Sequence, residues 1–160
     1  MLAVSAPGAS GDAGVEVQPK VPAGWVDQPA LAARAADAAA AVGLTVTVQA
    51  WGDAATGAFA IIARGDASGE MRTQDVVDGL GAQAAAAGIE LREPGIDGRR
   101  IDTGFARGRW QGRALVTAGT GDQGRGVELA ACFSTDRRPE RAQAECAAFL
   151  AAFAAVEAAP

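Results

Sequence analysis

The chain has 160 residues, of which 49% are hydrophobic and 21% are charged, so it is long enough to bury the core of one folded domain. Its net charge of −5 argues against nonspecific binding to nucleic acid or to an anionic membrane, because both require clustered positive charge. No stretch approaches the roughly 20 apolar residues that are needed to cross a bilayer, so we expect no transmembrane segment.

Residues 1–14 are rich in Gly, Ala and Ser, which predicts a flexible linker or tail before a single α+β domain at residues 15–157. This segment has neither the basic start nor the apolar centre of a signal peptide. Such a spacer is typical of a mature exported protein whose leader has been removed. We therefore expect a location in the periplasm, on the cell surface or outside the cell, with a cytoplasmic location as the alternative.

The predicted domain opens with a short strand, a tryptophan and a helix. Val15 and Val17 suit a short strand, and we expect Trp25 to pack in the core rather than to form a ligand platform. Pro29 suits the first turn of a helix, and Gly43 suits the position after its end. The predicted helix runs from residue 29 to residue 42, with one apolar side formed by Leu31, Ala35, Ala38 and Val42.

Two strands and a second helix are predicted next. Alternating apolar and polar residues indicate a strand at 44–50, followed by a turn region at 51–57. Residues 58–63 are apolar on both faces, which predicts a central strand covered on both sides. After a loop at 64–72, Thr73 is a candidate cap for a helix that ends before Gly88. Its predicted buried side is Val76, Val77, Leu80, Ala84 and Ala87.

A hairpin is predicted in the third part of the chain. Residues 89–93 are predicted to form a strand or an extended linker, which is interrupted at 94–95. A strand at 99–106 then turns through Arg107–Gly108 into a second strand, which runs from residue 109 to residue 118. This register places Phe105 opposite Trp110 on the inner face. It also places Asp102 opposite Arg113 on the outer face.

A strand and a helix are predicted to close the chain. A Gly-rich turn at 119–126 leads to a strand in which alternate residues 127–133 share an apolar face. Ser134 or Asp136 is a candidate cap for the helix that follows, with Pro139 in its first turn. Its apolar residues recur every three or four positions, at Ala142, Cys146, Phe149, Leu150, Phe153 and Val156.

The two cysteines of the chain fall on these last two elements. If the helix folds back on the strand, Cys146 approaches Cys132, so we predict a disulfide bond between them. Closing this short loop would stabilise the fold by roughly 2–3 kcal/mol. Two reduced, buried cysteines in a cytoplasmic protein are the alternative. A catalytic pair is not favoured, because the chain has no histidine that could activate a thiolate.

Together these elements predict an α+β fold in which helices pack on an antiparallel-dominated sheet. The plan resembles the PsbP-like or DcrB-like α/β domain, which is found in an extrinsic photosystem II subunit and in many bacterial exported proteins and lipoproteins. The residues that carry the resemblance are Pro22–Trp25, Gly104–Phe105, Arg109–Gly112, Cys132–Phe133 and Glu145–Leu150. The resemblance implies a mostly non-enzymatic domain that binds or assists partner proteins, and it carries over no catalytic residues.

No catalytic, cofactor-binding or metal-binding residues are predicted. Residues 119–124 match G-x-G-x-x-G, but a dinucleotide site needs a helix after that motif, and here a strand is predicted. The pairs Asp75/Asp78 and Asp97/Asp102 suit structural roles better than acid–base catalysis. The absence of histidine makes a transition-metal site improbable, and no Asp-x-Asp-x-Asp-Gly calcium loop is present.

Four arginines near the hairpin form the predicted partner surface. Arg100, Arg109 and Arg113 are expected on its outer face, with Arg107 at its turn. Such a strip could bind an acidic partner, and a solvated face without a specific role is the alternative. We therefore expect a non-catalytic exported domain that binds or supports a partner protein. The alternatives are a cytoplasmic chaperone or adaptor for a hydrophobic client segment, and a small-ligand carrier.

Overall fold

Eight strands and three helices form within residues 20–41 and 43–157, which are the part of the chain that this computed structural model describes. The predicted tail, the predicted strand at Val15 and Val17, and the side chains of Val42 and Val156 lie outside the described residues. The strands are β1 (Val26–Asp27), β2 (Thr45–Asp53), β3 (Ala58–Asp66), β4 (Glu90–Leu91), β5 (Gly95–Asp97), β6 (Arg100–Arg107), β7 (Trp110–Thr120) and β8 (Gly126–Ser134). The helices are α1 (Pro29–Ala40), α2 (Thr73–Ala86) and α3 (Pro139–Glu157).

All strand pairs are antiparallel and belong to one sheet, in the order β1-β2-β3-β8-β7-β6-β4, with β5 also paired to β6. The predicted α+β fold with helices packed on an antiparallel sheet is therefore confirmed. The strand predicted at residues 58–63 corresponds to β3, which is central and pairs with β2 on one side and with β8 on the other. The possible strand at residues 89–93 corresponds to β4, whereas β5 was not predicted, and both lie along the outer edge of β6.

The two faces of the sheet carry different helices. Because successive strand residues point to opposite faces, Leu115 packs in one cluster and Val116 in another. The first cluster joins α3 to the sheet and contains Phe149, which is fully buried. The second cluster joins α2 to the opposite face. We call these two sides of the sheet the α3 face and the α1–α2 face, because α1 also borders the second one.

The β6–β7 hairpin turns one residue later than predicted. Arg107 pairs with Trp110, so the turn is Gly108–Arg109, and Gly108 has a φ of 56°, which glycine adopts without steric cost. The two predicted cross-strand pairs are therefore wrong: Phe105 lies opposite Gly112, and Asp102 lies opposite Leu115. Since the register shifts by two positions, the residues outside the turn keep their predicted faces, whereas Arg107 enters β6 and Arg109 enters the turn.

Several element boundaries also differ from the prediction. β2 continues to its ninth residue and includes Trp51, which was expected in a turn and is buried. Ala38, expected on the inner side of α1, is exposed, and so is Ala87 just beyond α2.

Thr73 is not the cap of α2, because the capping residue is Arg72 and the Thr73 hydroxyl donates to the carbonyl of Gly98 instead. α3 begins at Pro139 as expected, which leaves Ser134 in β8.

Candidate functional site

The cysteine pair lies on the α3 face. The sulfur atoms of Cys132 and Cys146 are 1.96 Å apart, which is a bonding distance, and their Cα atoms are 5.4 Å apart. Cys132 lies on β8, which is central in the sheet, and Cys146 lies on α3. The pairing that was expected from the sequence is thus present, and it fixes α3 against the strand that precedes it.

Glu145 is a polar anchor beside the cysteine pair that the sequence did not reveal. Its carboxylate accepts a hydrogen bond of 3.0 Å from the indole nitrogen of Trp25 and one of 3.3 Å from the hydroxyl of Thr56. Arg141, one turn earlier on α3, donates to it at 3.1 Å. Trp25 is stacked on Phe149 with ring centroids 5.9 Å apart, so its role in the core agrees with the packing role expected for it.

The predicted arginine strip is divided in the structure. Arg100 and Arg113 point to the α3 face, because they lie on that side of the β6 and β7 pleats. Arg107 points to the opposite face, beside its cross-strand neighbour Trp110. Arg109 lies in the turn, where its guanidinium donates two hydrogen bonds to Asp136 Oδ1, at 3.1 and 2.6 Å. The four residues therefore do not form one continuous surface.

Two of these arginines are engaged by carboxylates. Arg113 Nε donates to Asp102 at 2.7 Å, and this hydrogen bond lowers the pKa of Asp102 below its ordinary value despite the opposing effect of burial. The hydrogen bond from Arg109 lowers the pKa of Asp136 in the same way. The same hydrogen bonds, to Asp136 and to Asp102, raise the pKa values of Arg109 and Arg113. Their charges are thus largely offset by these internal partners.

An aromatic surface occupies one end of the α1–α2 face. It consists of four rings from four strands: Phe59, Phe105, Trp110 and Phe133. Phe133 is the centre, with ring centroids 5.5 Å from Trp110, 6.1 Å from Phe59 and 6.4 Å from Phe105. Trp110 is 38% exposed, whereas Trp25 and Trp51 are 8% and 9% exposed. The sequence placed Phe105 and Trp110 on an inner face, but none of the three helices in the described residues encloses this end.

Glycine makes room for the aromatic surface. A Cβ atom on Gly112 would lie 2.5 Å from the tip of the Phe105 ring and 2.8 Å from Cβ of Phe133. A Cβ atom on Gly52 would likewise meet the ring of Phe59. The rings of Phe105 and Phe59 therefore occupy the space that a side chain at Gly112 or Gly52 would fill.

A groove occupies the other end of the same face, between the two helices. We call it the α1–α2 groove, and its volume is about 540 Å³. Its floor is formed by side chains of β2, β3 and β8, including Val46, Ile61 and Leu129. Ala35 and Ala39 line it from α1, and Val76, Gly79 and Leu80 line it from α2. The sequence did not predict this groove, because the distance between two helices is not contained in the periodicity of either.

The sequence motifs that could indicate catalysis occupy structural positions in the fold. The G-x-G-x-x-G segment leads into the strand β8 rather than into a helix, so it lacks the geometry of a dinucleotide site. Asp78 accepts a hydrogen bond of 2.8 Å from Gln74, and Asp102 is bound to Arg113. In the two described ranges, no three acidic, cysteine or histidine side chains converge as the ligands of a metal ion would.

Residues 20–41 and 43–157 form an α+β domain in which α3 covers one face of the sheet and the other described helices leave the opposite face partly uncovered. None of the helices in the described residues has both the length and the apolar character that a membrane span requires. Comparison of the chain with protein-family models, with curated proteins and with solved structures finds no match. The resemblance to the PsbP-like domain therefore stays a prediction.

Proposed function

We propose that the protein is a non-catalytic, exported binding domain that docks a partner protein on the aromatic surface. The observation that carries this proposal is the exposure of Trp110 at 38% among three other aromatic rings, while the two other tryptophans of the chain are buried. Large exposed aromatic groups on a rigid support are typical of interaction sites.

The surroundings of Trp110 suit a protein partner. Its cross-strand neighbour Arg107 is exposed, and tryptophan and arginine are the residue types that most often dominate the energy of protein interfaces. Arg109, in contrast, is engaged by Asp136 and is less available. The chemistry fits a partner that presents an apolar side chain to the rings and an acidic group to Arg107.

Export is supported by the paired cysteines, since disulfide bonds persist mainly in oxidising compartments. Thiol alkylation of the protein in its native cells, without reductant, tests this part of the proposal. We expect neither cysteine to react before reduction and both to react after it. Two reactive thiols in the untreated protein would instead favour the cytoplasmic alternative.

The partner site is tested with Trp110→Ala and the matched control Ile96→Ala, because Ile96 is 51% exposed and lies on β5, away from the aromatic surface. Each variant is used to capture proteins from the extracytoplasmic fraction of the native host. We expect one protein to be retained by the wild type and by the control but lost by Trp110→Ala. The purified partner should bind Trp110→Ala about 30-fold more weakly, as for a hot-spot residue of about 2 kcal/mol.

Circular dichroism and thermal unfolding should show that Trp110→Ala folds as the wild type does, because the removed ring is partly exposed. The proposal is contradicted if the purified partner binds the wild type and Trp110→Ala with equal affinity. It is also contradicted if Ile96→Ala weakens binding as strongly, since the aromatic surface would then not be the site.

A further inference from the structure

Among the residues that the structure describes, the centre of the sheet is covered by a helix on one face and only flanked by helices on the other. On the α3 face, α3 packs directly on β3 and β8. On the α1–α2 face, α1 packs against β2, and α2 packs against β4, β6 and β7, so the two helices flank the central strands. The floor residues Ile61, Val127 and Leu129 consequently stay half-buried, although large aliphatic side chains at the centre of a sheet are normally covered.

The α1–α2 groove has the size and lining of a small-molecule site. Its volume of about 540 Å³ lies within the range of roughly 300–1,000 Å³ that is usual for such sites, and its lining is mostly aliphatic. Small residues on both helices, such as Ala39 and Gly79, keep the walls apart. An apolar occupant would remove the half-buried floor from water, which is the main source of affinity in sites of this kind.

The polar groups of the lining restrict the kind of ligand. They are Ser68, Asp75 and Gln83, and no lysine or arginine contributes to the lining within the described ranges. Asp75 Oδ2 accepts a long hydrogen bond of 3.4 Å from the backbone of Arg72, while Oδ1 has no protein donor in the described part of the chain. A carboxylate without a basic neighbour in the lining repels an anionic head group and accepts hydrogen bonds from a donor.

We propose that the α1–α2 groove binds a small apolar molecule whose polar end donates hydrogen bonds, such as a long-chain amine or alcohol. The aliphatic part lies on the floor formed by β3 and β8, and the donor faces Asp75. A fatty acid of the same length binds more weakly, because its carboxylate would lie near Asp75 without a basic partner. This site is separate from the aromatic surface, so the proposal does not depend on partner binding.

The experiment uses the full chain and the uncharged fluorophore phenylnaphthylamine, followed by competition with dodecylamine, dodecanol and dodecanoic acid. Gly79→Leu fills the groove, since a Cβ atom at Gly79 meets nothing within 4 Å. Gly81→Leu is the matched control, because it makes the same change on α2 outside the groove and also meets nothing within 4 Å. We expect Gly79→Leu to weaken probe binding at least tenfold, and Gly81→Leu and Trp110→Ala to leave it unchanged.

The competitors and Asp75→Asn test the polar end of the ligand. Dodecylamine and dodecanol should displace the probe at least tenfold better than dodecanoic acid. Asp75→Asn should weaken dodecylamine about tenfold, because the charged acceptor of the ammonium group is lost, and should weaken dodecanol by a smaller factor, because the amide oxygen still accepts a hydrogen bond from the hydroxyl. Equal competition by the acid, equal probe binding by Gly79→Leu, or no probe binding by the wild type would overturn the proposal. A dimer that Gly79→Leu dissociates would assign the groove to a second copy of the chain and overturn it as well.

Discussion

The indole nitrogen of Trp25 donates a hydrogen bond of 3.0 Å to the carboxylate of Glu145, which lies 120 residues later in the chain. The bond joins the segment before β1 to the middle of α3. It is reinforced by the stacking of Trp25 on Phe149 from the same helix. The segment before β1 is thus held to α3 by one polar and one aromatic contact, next to the cysteine pair.

Replacement of Glu145 by alanine should lower the free energy of unfolding by about 1.5–3 kcal/mol, because the charged acceptor of the Trp25 N–H and the Thr56 hydroxyl would be lost. Urea denaturation followed by tryptophan fluorescence measures this change. The control is Arg141→Ala, which removes an exposed partner of the same carboxylate and should cost less than about 0.5 kcal/mol. Equal losses in the two variants would mean that the partly buried hydrogen bonds to Glu145 do not stabilise the fold.

Reduction of the cysteine pair should lower the free energy of unfolding by about 3 kcal/mol, because the bond closes a loop with a sequence separation of 14 in the unfolded chain. Urea denaturation with and without dithiothreitol measures the effect. The double variant Cys132→Ala/Cys146→Ala should unfold at the same urea concentration with or without reductant. A wild-type midpoint that does not respond to reduction would contradict this prediction.

The Asp102–Arg113 pair should make a small contribution to stability that depends on pH. The pKa of Asp102 is lowered in the folded protein, so the contribution is present above the unfolded value of about 3.8 and is lost as the pH falls through the lower folded value. Because the Arg113 side chain is 58% exposed, we expect at most about 1 kcal/mol near neutral pH. Asp102→Asn should therefore be less stable than the wild type at pH 7 and equally stable in strong acid.

Carboxyl NMR titration checks the cause of this pKa shift. Arg113→Gln should raise the titration midpoint of Asp102 towards its ordinary value, because the hydrogen bond from Arg113 is the largest contribution. Arg109→Gln is the reciprocal control and should raise the midpoint of Asp136 instead. A midpoint of Asp102 that is unchanged in Arg113→Gln would show that another group lowers it.

Replacement of Gly112 by alanine should destabilise the protein by about 1–3 kcal/mol, as is usual when a side chain is added to a filled space. The new Cβ atom would lie 2.5 Å from the carbonyl oxygen of Cys132, which belongs to the sheet backbone and cannot move aside easily. Gly81→Ala is the control, because nothing lies within 4 Å of its Cβ position and α2 gains helix propensity. Thermal unfolding of both variants measures the difference, and a Gly112→Ala variant as stable as the control would contradict the described packing.

The local patterns of the sequence were sufficient for most of the elements and for their faces. Alternation along residues 110–118 predicts which side chains share a face, because strand parity depends only on position. The same pattern cannot decide between turns at Arg107–Gly108 and at Gly108–Arg109, since both keep the residues outside the turn on the same faces. The positive φ of Gly108 at the first turn position decides the register, and only the structure shows it.

The candidate sites were less accessible to sequence analysis because they depend on contacts between distant segments. Phe59 lies beside Phe133 only because β3 pairs with β8, and no local pattern specifies that pairing. The sequence shows Glu145 only as part of the Glu145–Leu150 motif, although Trp25 and Glu145 are hydrogen-bonded across the fold. The prediction of one continuous arginine strip is wrong for a simpler reason. Arg107 lies in β6 rather than at the turn and therefore points to the opposite face.

The pairing of β3 with β8 also bears on the order in which the chain folds. Hairpins between β6, β7 and β8 join neighbouring segments and can form early, whereas β3 must close a long loop that contains α2 and four other strands before it reaches β8. Both cysteines lie on the carboxy-terminal side of that loop. We therefore expect oxidation to join α3 to β8 before β3 docks, so that the last step of folding adds the amino-terminal strands to a preassembled carboxy-terminal half.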